Sequence, residues 1–261
     1  MSNEIKKSND SSFARYEEAI TRRDEAIKAA FQFERAYVRE FGDLILKVFH
    51  AKIECIKKKK TIEYCYISAN RGEIVNQKAM QEYLEKEMTE YYKRLKELID
   101  EKEASQKQTL VTEHDHLKIK KIYHRLVKKI HPDINPITSA NEELGELWHR
   151  LIIAYNCDNL KEMEEVEVLI NAFLEKYNLG TIDIQIPNIE EKIAEIEEET
   201  NLIKSADPYQ YKYLLEDEEA VEMKKEELKN ELKDYEEYGK QLDEILEGLI
   251  QKGVVFSWQM N

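Results

Sequence analysis

Between Phe13 and Ile67 the chain contains no proline and one glycine, Gly42. Apolar side chains recur through it at Ile20, Ile27, Phe31, Val38, Phe41, Ile45 and Val48. Steps of three, four and seven residues put these side chains on one face of a helix. The pattern predicts one long amphipathic helix, or two helices meeting near Gly42. At about 1.5 Å per residue an unbroken helix would reach up to ~80 Å, and its apolar face would need a partner along that length. The whole chain has the same character, with 7 Gly and 4 Pro in 261 residues and 36% charged side chains. Few helix breakers and abundant Glu, Lys and Leu predict an all-α protein. Ile62 to Ile67 alternates like a strand, but no partner strand is evident, so this stretch is expected to be helical.

The order of signals suggests three parts, 1–107, 108–180 and 181–261. Residues 1–11 are polar and are expected to be disordered. Asn70-Arg71-Gly72 is a stop signal, with Gly72 suited to a left-handed cap. A second helix is predicted from near Asn76, with Leu84, Met88, Tyr91, Leu95 and Leu98 at coiled-coil steps. Together these two helices predict an antiparallel hairpin. Residues 101–112 are polar and hinge-like. Beyond residue 180, Thr181 to Ile186 reads as an extended linker. Ile189, Ile193, Ile196 and Ile203 mark one helix, and Val221, Leu228, Leu232, Tyr235, Leu242, Ile245 and Leu249 mark a last long one. A second antiparallel hairpin is expected, holding 21 acids against 9 bases from Pro187 to Lys252. The apolar tail Val254 to Trp258 is expected to dock on a neighbouring helix. The expected architecture is elongated, with a compact module between two helical hairpins.

The middle part is distinguished by charge. From Leu117 to His131 the chain carries Lys118, Lys120, Lys121, Arg125, Lys128 and Lys129 and no acid. Leu117, Ile119, Ile122, Tyr123, Leu126, Val127 and Ile130 form an apolar stripe, which predicts a helix with its cations on the open face. Thr112 can cap its start, and Pro132 must end it. The result is a basic helix followed by a polar loop, His131-Pro132-Asp133, presented to solvent. Ser139 to Glu142 reads as a capping box for the next helix, which carries Trp148. A further helix is expected from Leu160 to Tyr177, ending at Asn178-Leu179-Gly180.

Tyr123, Leu126, His131, Pro132 and Asp133, in the spacing Tyr-x-x-Leu-x-x-x-x-His-Pro-Asp, resemble the second helix and loop of a J domain. Trp148, Leu151, Ala154 and Tyr155 are similar to the helix that follows that loop in the family. J domains belong to Hsp40-type co-chaperones and stimulate the ATPase of Hsp70. The resemblance covers about residues 110–175. It implies a core of Tyr123, Leu126, Trp148, Leu151, Ala154 and Tyr155. It also implies that His131, Pro132, Asp133, Asn135, Lys121, Arg125, Lys128 and Lys129 dock on an Hsp70 in its ATP state. The chain departs from the family in three places. No Asp-x-Tyr-x-x-Leu first helix precedes Leu117, Ile134 stands where a Lys usually follows the triplet, and the turn after Ala154-Tyr155 reads Asn156-Cys157-Asp158-Asn159. Met163, Val166, Leu169, Ile170 and Phe173 are expected to cover the face that a first helix normally covers.

Other functions find little support. A net charge of −14 argues against nucleic acid and anionic membranes as partners. No apolar run approaches the ~20 residues of a membrane span, and Met1 to Ser12 lacks a signal-peptide core. Three cysteines without a CxxC pair point to a reduced, cytoplasmic protein with buried thiols. There is no phosphate loop, zinc knuckle or HExxH motif, so neither an enzyme nor a cofactor is expected. His114, His116 and His124 could form a metal site only awkwardly and are expected to be surface histidines. The run Lys57 to Lys60 is expected to be a solvated helix face. The chain also lacks the Gly/Phe-rich segment and zinc-binding cysteines of some J proteins, so its hairpins would position the module or bind a client or partner. The alternative is a coiled-coil scaffold that retains an inactive J-like helical pair. Oligomeric state is open.

Overall fold

The computed structural model describes residues 2–106, 111–177, 186–251 and 256–257, with side chains from Ser12 to Gln251. The protein is all-α apart from one two-residue strand pair. The helices are α1 (Ser2–Asn70), α2 (Gln77–Gln106), α3 (Glu113–Ile130), α4 (Pro136–Ala140), α5 (Glu142–Asn156), α6 (Leu160–Lys176), α7 (Ile189–Ser205), α8 (Tyr211–Glu216) and α9 (Glu218–Gln251). Strands β1 (Val75–Asn76) and β2 (Phe256–Ser257) pair in parallel, Val75 opposite Phe256. No described helix is long and apolar enough to cross a membrane.

α1 is a single helix through Gly42, and residues 2–10 belong to it despite their polar composition. It ends at Asn70, and Gly72 follows with φ of 67°, the left-handed conformation that glycine adopts at least cost. Asn76 caps α2 by accepting from the Ala79 N–H. The expected linker at 181–185, the stop at 178–180 and the tail residues Val254, Val255 and Trp258 lie outside the described residues.

The chain forms two compact units, and they do not follow the three parts expected from the sequence. One unit holds residues 1–34 and 108–212, and the other holds 35–107 and 213–261. In the first unit, Tyr16, Ala19 and Ile20 of α1 share one core with Ile119, Tyr123 and Leu126 of α3 and Leu151 and Tyr155 of α5. Met163, Val166, Ile170 and Phe173 of α6 and Ile193 and Ile196 of α7 complete it. In the second unit, α1 packs with α2 through Ile53, Met88 and Leu95. It packs with α9 through Cys55, Cys65, Leu242 and Leu249, and through Phe41, Val48 and Leu228.

The two helices expected to form a C-terminal hairpin fall in different units. The stripe of α7 is buried in the first unit, while α9 packs on α1 in the second. A 3.6-residue stripe states which face is buried but not which helix covers it. Charge supplies a physical reason for the choice. α7 is acidic, and Glu190 and Glu197 reach Arg15 and Arg22 of α1 at 3.0 and 3.8 Å.

Candidate functional site

The site is built from the end of α3 inward. Thr112 Oγ1 accepts from the Asp115 N–H and caps the helix. At the other end His131 takes φ −59° and ψ 130°, the extended geometry imposed on a residue before proline. The chain then turns through Pro132-Asp133 into α4, whose start is capped by Asn135 accepting from the Ile137 N–H. α5 opens at Asn141, which accepts from the Leu144 N–H. The capping box expected at Ser139 is thus replaced by a short separate helix with two Asn caps. Tyr123 stacks on Tyr155 at 3.7 Å, and His131 lies edge-on to Trp148 at 4.8 Å. Those two pairings run in opposite directions along α3 and α5, so the helices are antiparallel. All six expected core residues, Tyr123, Leu126, Trp148, Leu151, Ala154 and Tyr155, meet in this core, with Trp148 only partly buried.

The loop itself differs from the expected solvent-exposed turn. His131 is 4% exposed and Asn135 2%. Asn135 Nδ2 donates to the Lys129 carbonyl, which ties the loop back to the last turn of α3. Only the Pro132-Asp133 corner and Pro136 reach the surface, and the Asp133 side chain is 40% exposed. His131 Nδ1 accepts from the Asp133 N–H at 3.0 Å. Its Nε2 lies 3.3 Å from Arg23 Nη2 and 3.5 Å from Asp24 Oδ2.

Around the loop lies a polar network the sequence reading missed. Tyr123 O–H donates to Asp24 Oδ2 at 2.8 Å. Arg23 Nη2 reaches Asp133 Oδ2 at 3.0 Å and Asp24 Oδ1 at 3.3 Å, and Arg23 Nη1 reaches Glu199 at 3.4 Å. Tyr16 O–H donates to the Asp133 carbonyl at 3.2 Å. Burial works against the Arg23 charge, but Asp24 and then Asp133 outweigh it and hold the guanidinium above its ordinary value. Burial, followed by the Asp24 charge, pushes the Tyr123 phenol far above the usual tyrosine range. One signal was visible in the sequence: Arg23 and Asp24 sit three and four residues beyond Ile20, where the stripe of α1 should hold an apolar side chain.

α1 and Ile134 both belong to the core of the first unit. Tyr16, Ala19 and Ile20 cover the face for which no first helix was visible. α6 packs on the same core through Met163, Val166, Ile170 and Phe173, while Leu169 stays 39% exposed. Ile134 is 1% exposed in that core, so a lysine there would bury its charge.

The basic face of α3 is not open in the way its sequence suggested. Lys118 pairs with Glu164. Lys120 pairs with Glu25 at 2.7 Å, Arg125 with Glu167 at 2.6 Å and Lys128 with Glu17 at 2.9 Å. Lys129 donates to Asn171, and Lys121 is exposed. The cations met by α1 and α6 remain about half exposed, from 48% at Lys118 to 60% at Lys128.

A second buried cluster anchors α1 to the turn after α5. Asp158, with a positive φ of 52° and a side chain 1% exposed, meets Lys28 at 2.6 Å, His116 at 3.2 Å and Gln32 at 2.8 Å. Lys28 also lies over the Tyr155 ring at 4.0 Å. Burial lowers the Lys28 pKa, and Asp158 only partly offsets this. His124 instead faces Glu25 at 3.2 Å, so the three clustered histidines do not converge. Among the described residues no group of three or more His, Cys, Asp or Glu side chains is placed to hold a metal. Cys55 and Cys65 are buried, as expected, while Cys157 is exposed at the end of α5. In the second unit Lys58 and Lys60, expected to be solvated, pair with Asp243 at 2.6 Å and Glu87 at 2.7 Å.

No protein-family model matches the chain, and no curated protein or solved structure matches it.

Proposed function

We propose that the protein is a non-enzymatic J-type co-chaperone of the cytoplasm, docking on an Hsp70 through the Pro132-Asp133 corner and the basic face of α3 and stimulating ATP hydrolysis. The observation that carries this reading is the His-Pro-Asp turn joining two antiparallel helices, with His131 locked inward and the Asp133 carboxylate left at the surface. A loop ordered by a proline, an Asn cap and a buried imidazole loses little freedom on binding. Lys121, Arg125 and Lys128 share one stripe of α3 at steps of four and three. Arg125 and Lys128 are about half exposed although their acids, Glu167 and Glu17, are largely covered, and Lys121 is exposed, so all three cations can be reached by the acids of a partner. Such a face speeds association and loses its effect in salt.

One observation favours a scaffold instead. Asp133 is already paired, with Arg23, and most α3 cations have internal acids. On that reading the J-like pair is a structural unit and its loop has no external partner. Measured affinity for an ATP-loaded Hsp70 separates the two. Docking requires a complex that weakens with salt and is reduced at least about tenfold, ~1.4 kcal/mol, by Asp133→Asn. Asparagine keeps the shape of the side chain, and Arg23 retains Asp24 and Glu199 as charged partners. No complex at low salt, with a folded protein and an active control J protein, would leave the scaffold.

A further inference from the structure

α7 lies beside the docking corner, and no feature of the proposed docking requires it there. Its Ile193 and Ile196 are buried in the core of the J-like module. Its acids hold a row of α1 cations: Glu190 with Arg15, Glu197 with Arg22 and Glu199 with Arg23. Glu190 also accepts from Ser12 Oγ at 2.9 Å. Arg23 is the shared member, because it binds Glu199 of α7 and Asp133 of the loop together. Between α7 and the loop lies a cleft of about 510 Å³. Pro132, Asp133 and Pro136 line it from the loop, Tyr16 and Arg23 from α1, and Lys192, Glu195 and Ile196 from α7. A partner entering this cleft toward Asp133 passes along α7.

We propose that α7 is a gate over the docking loop: held to α1 by its ion pairs it walls the cleft beside Pro132 and Asp133, and a partner gains that side of the loop when α7 lifts. The inference rests on the docking role proposed above. The outer pairs suit a gate. Arg15, Arg22, Glu190 and Glu197 are each more than half exposed, so they are open to solvent and to competing ions. The apparent affinity of a protein falls by the fraction of it that is competent. A gate open in about one molecule in ten therefore hides about tenfold of the intrinsic affinity.

The test uses the full chain with Arg15→Glu and Arg22→Glu together, which repels α7 without touching Arg23, Asp24 or His131. The paired variant adds Glu190→Arg and Glu197→Arg and restores the attraction with its sign reversed. Amide hydrogen exchange across 189–205 reports the state of α7, and affinity for an ATP-loaded Hsp70 reports docking. The gate predicts faster exchange in α7 and about tenfold tighter binding in the first variant, with both returning to wild-type values in the second. Faster exchange with unchanged or weaker binding overturns the gate and leaves the docking role standing. No binding by either the wild type or the loosened variant overturns both. If the charge changes leave α7 in place, Ile193→Asp with Ile196→Asp removes its anchors, and unchanged affinity in that variant also overturns the gate.

Discussion

The two units solve the burial of α1 in different ways. In the second unit the apolar stripe meets α2 and α9 through aliphatic and aromatic side chains, and the buried polar side chains are Ser68 and Ser105. In the first unit the same helix buries Asp24 and meets His131 and Asp158 through polar contacts, all three less than 9% exposed. Burying polar groups is costly unless each has a partner. A network of that kind specifies one arrangement, where an aliphatic seam tolerates many. The polar core surrounds the His131 turn and the elements that hold it. The contrast therefore marks the first unit as the part of the molecule with a geometry to protect.

The largest effect that would sharpen this contrast is on the ion pairs. Asp158→Ala leaves the Lys28 charge buried without its carboxylate and should destabilise the first unit by about 3–5 kcal/mol in thermal or urea unfolding. Lys58→Ala breaks a pair of similar length in the second unit, Lys58 with Asp243, where Asp243 is 49% exposed. That change should cost less than about 1 kcal/mol. Equal costs would break the comparison.

Next in size is an alkaline effect of two buried tyrosines in the first unit. Tyr123 and Tyr155 are both held above the ordinary value of 10.0, Tyr123 by burial and then Asp24, Tyr155 by burial and then Glu25. A group whose pKa is raised by folding stabilises the fold fully below its unfolded value, and that stability is lost as pH rises beyond it. Unfolding titrations should therefore show falling stability from about pH 10 upward. Tyr123→Phe should flatten the fall while lowering stability at neutral pH by about 1–3 kcal/mol, since Asp24 loses a donor. A slope unchanged in the variant would contradict the burial of the phenol.

The smallest effect uses the cysteines. Burial pushes the thiols of Cys55 and Cys65 above the ordinary value, which leaves little thiolate to react. Cys157 in the first unit is exposed. Under native conditions a maleimide should label Cys157 promptly and the other two only as the second unit opens. Mass spectrometry of partly labelled protein would read this directly, and rapid labelling of Cys65 would show that the second seam is looser than described.

Much of this was legible in the residues and some was not. The all-α class follows from the scarcity of breakers. The J-like core was visible because Tyr123, Leu126, Trp148, Leu151, Ala154 and Tyr155 lie on two short helices separated by one turn, so local spacing determined their meeting. The role of Tyr16 and Ile20 was hidden because α1 has no boundary where one unit gives way to the other. A continuous stripe cannot announce a change of partner. Coiled-coil spacing in both α7 and α9 suggests that they pair, but the acids of α7 meet the arginines of α1. The burial of His131 could not be read from a triplet ending at a proline, since what covers it comes from more than a hundred residues upstream.

The central claim is that the Pro132-Asp133 corner acts on an Hsp70. Its most direct test is steady-state ATP hydrolysis by the host's own Hsp70, with wild-type protein and with Asp133→Asn, at low and moderate salt. The account predicts stimulation by the wild type that declines with salt and is lost in the variant, while both proteins remain folded and equally helical. No stimulation by the folded wild type beside a working control J protein, or equal stimulation by the variant, would contradict it.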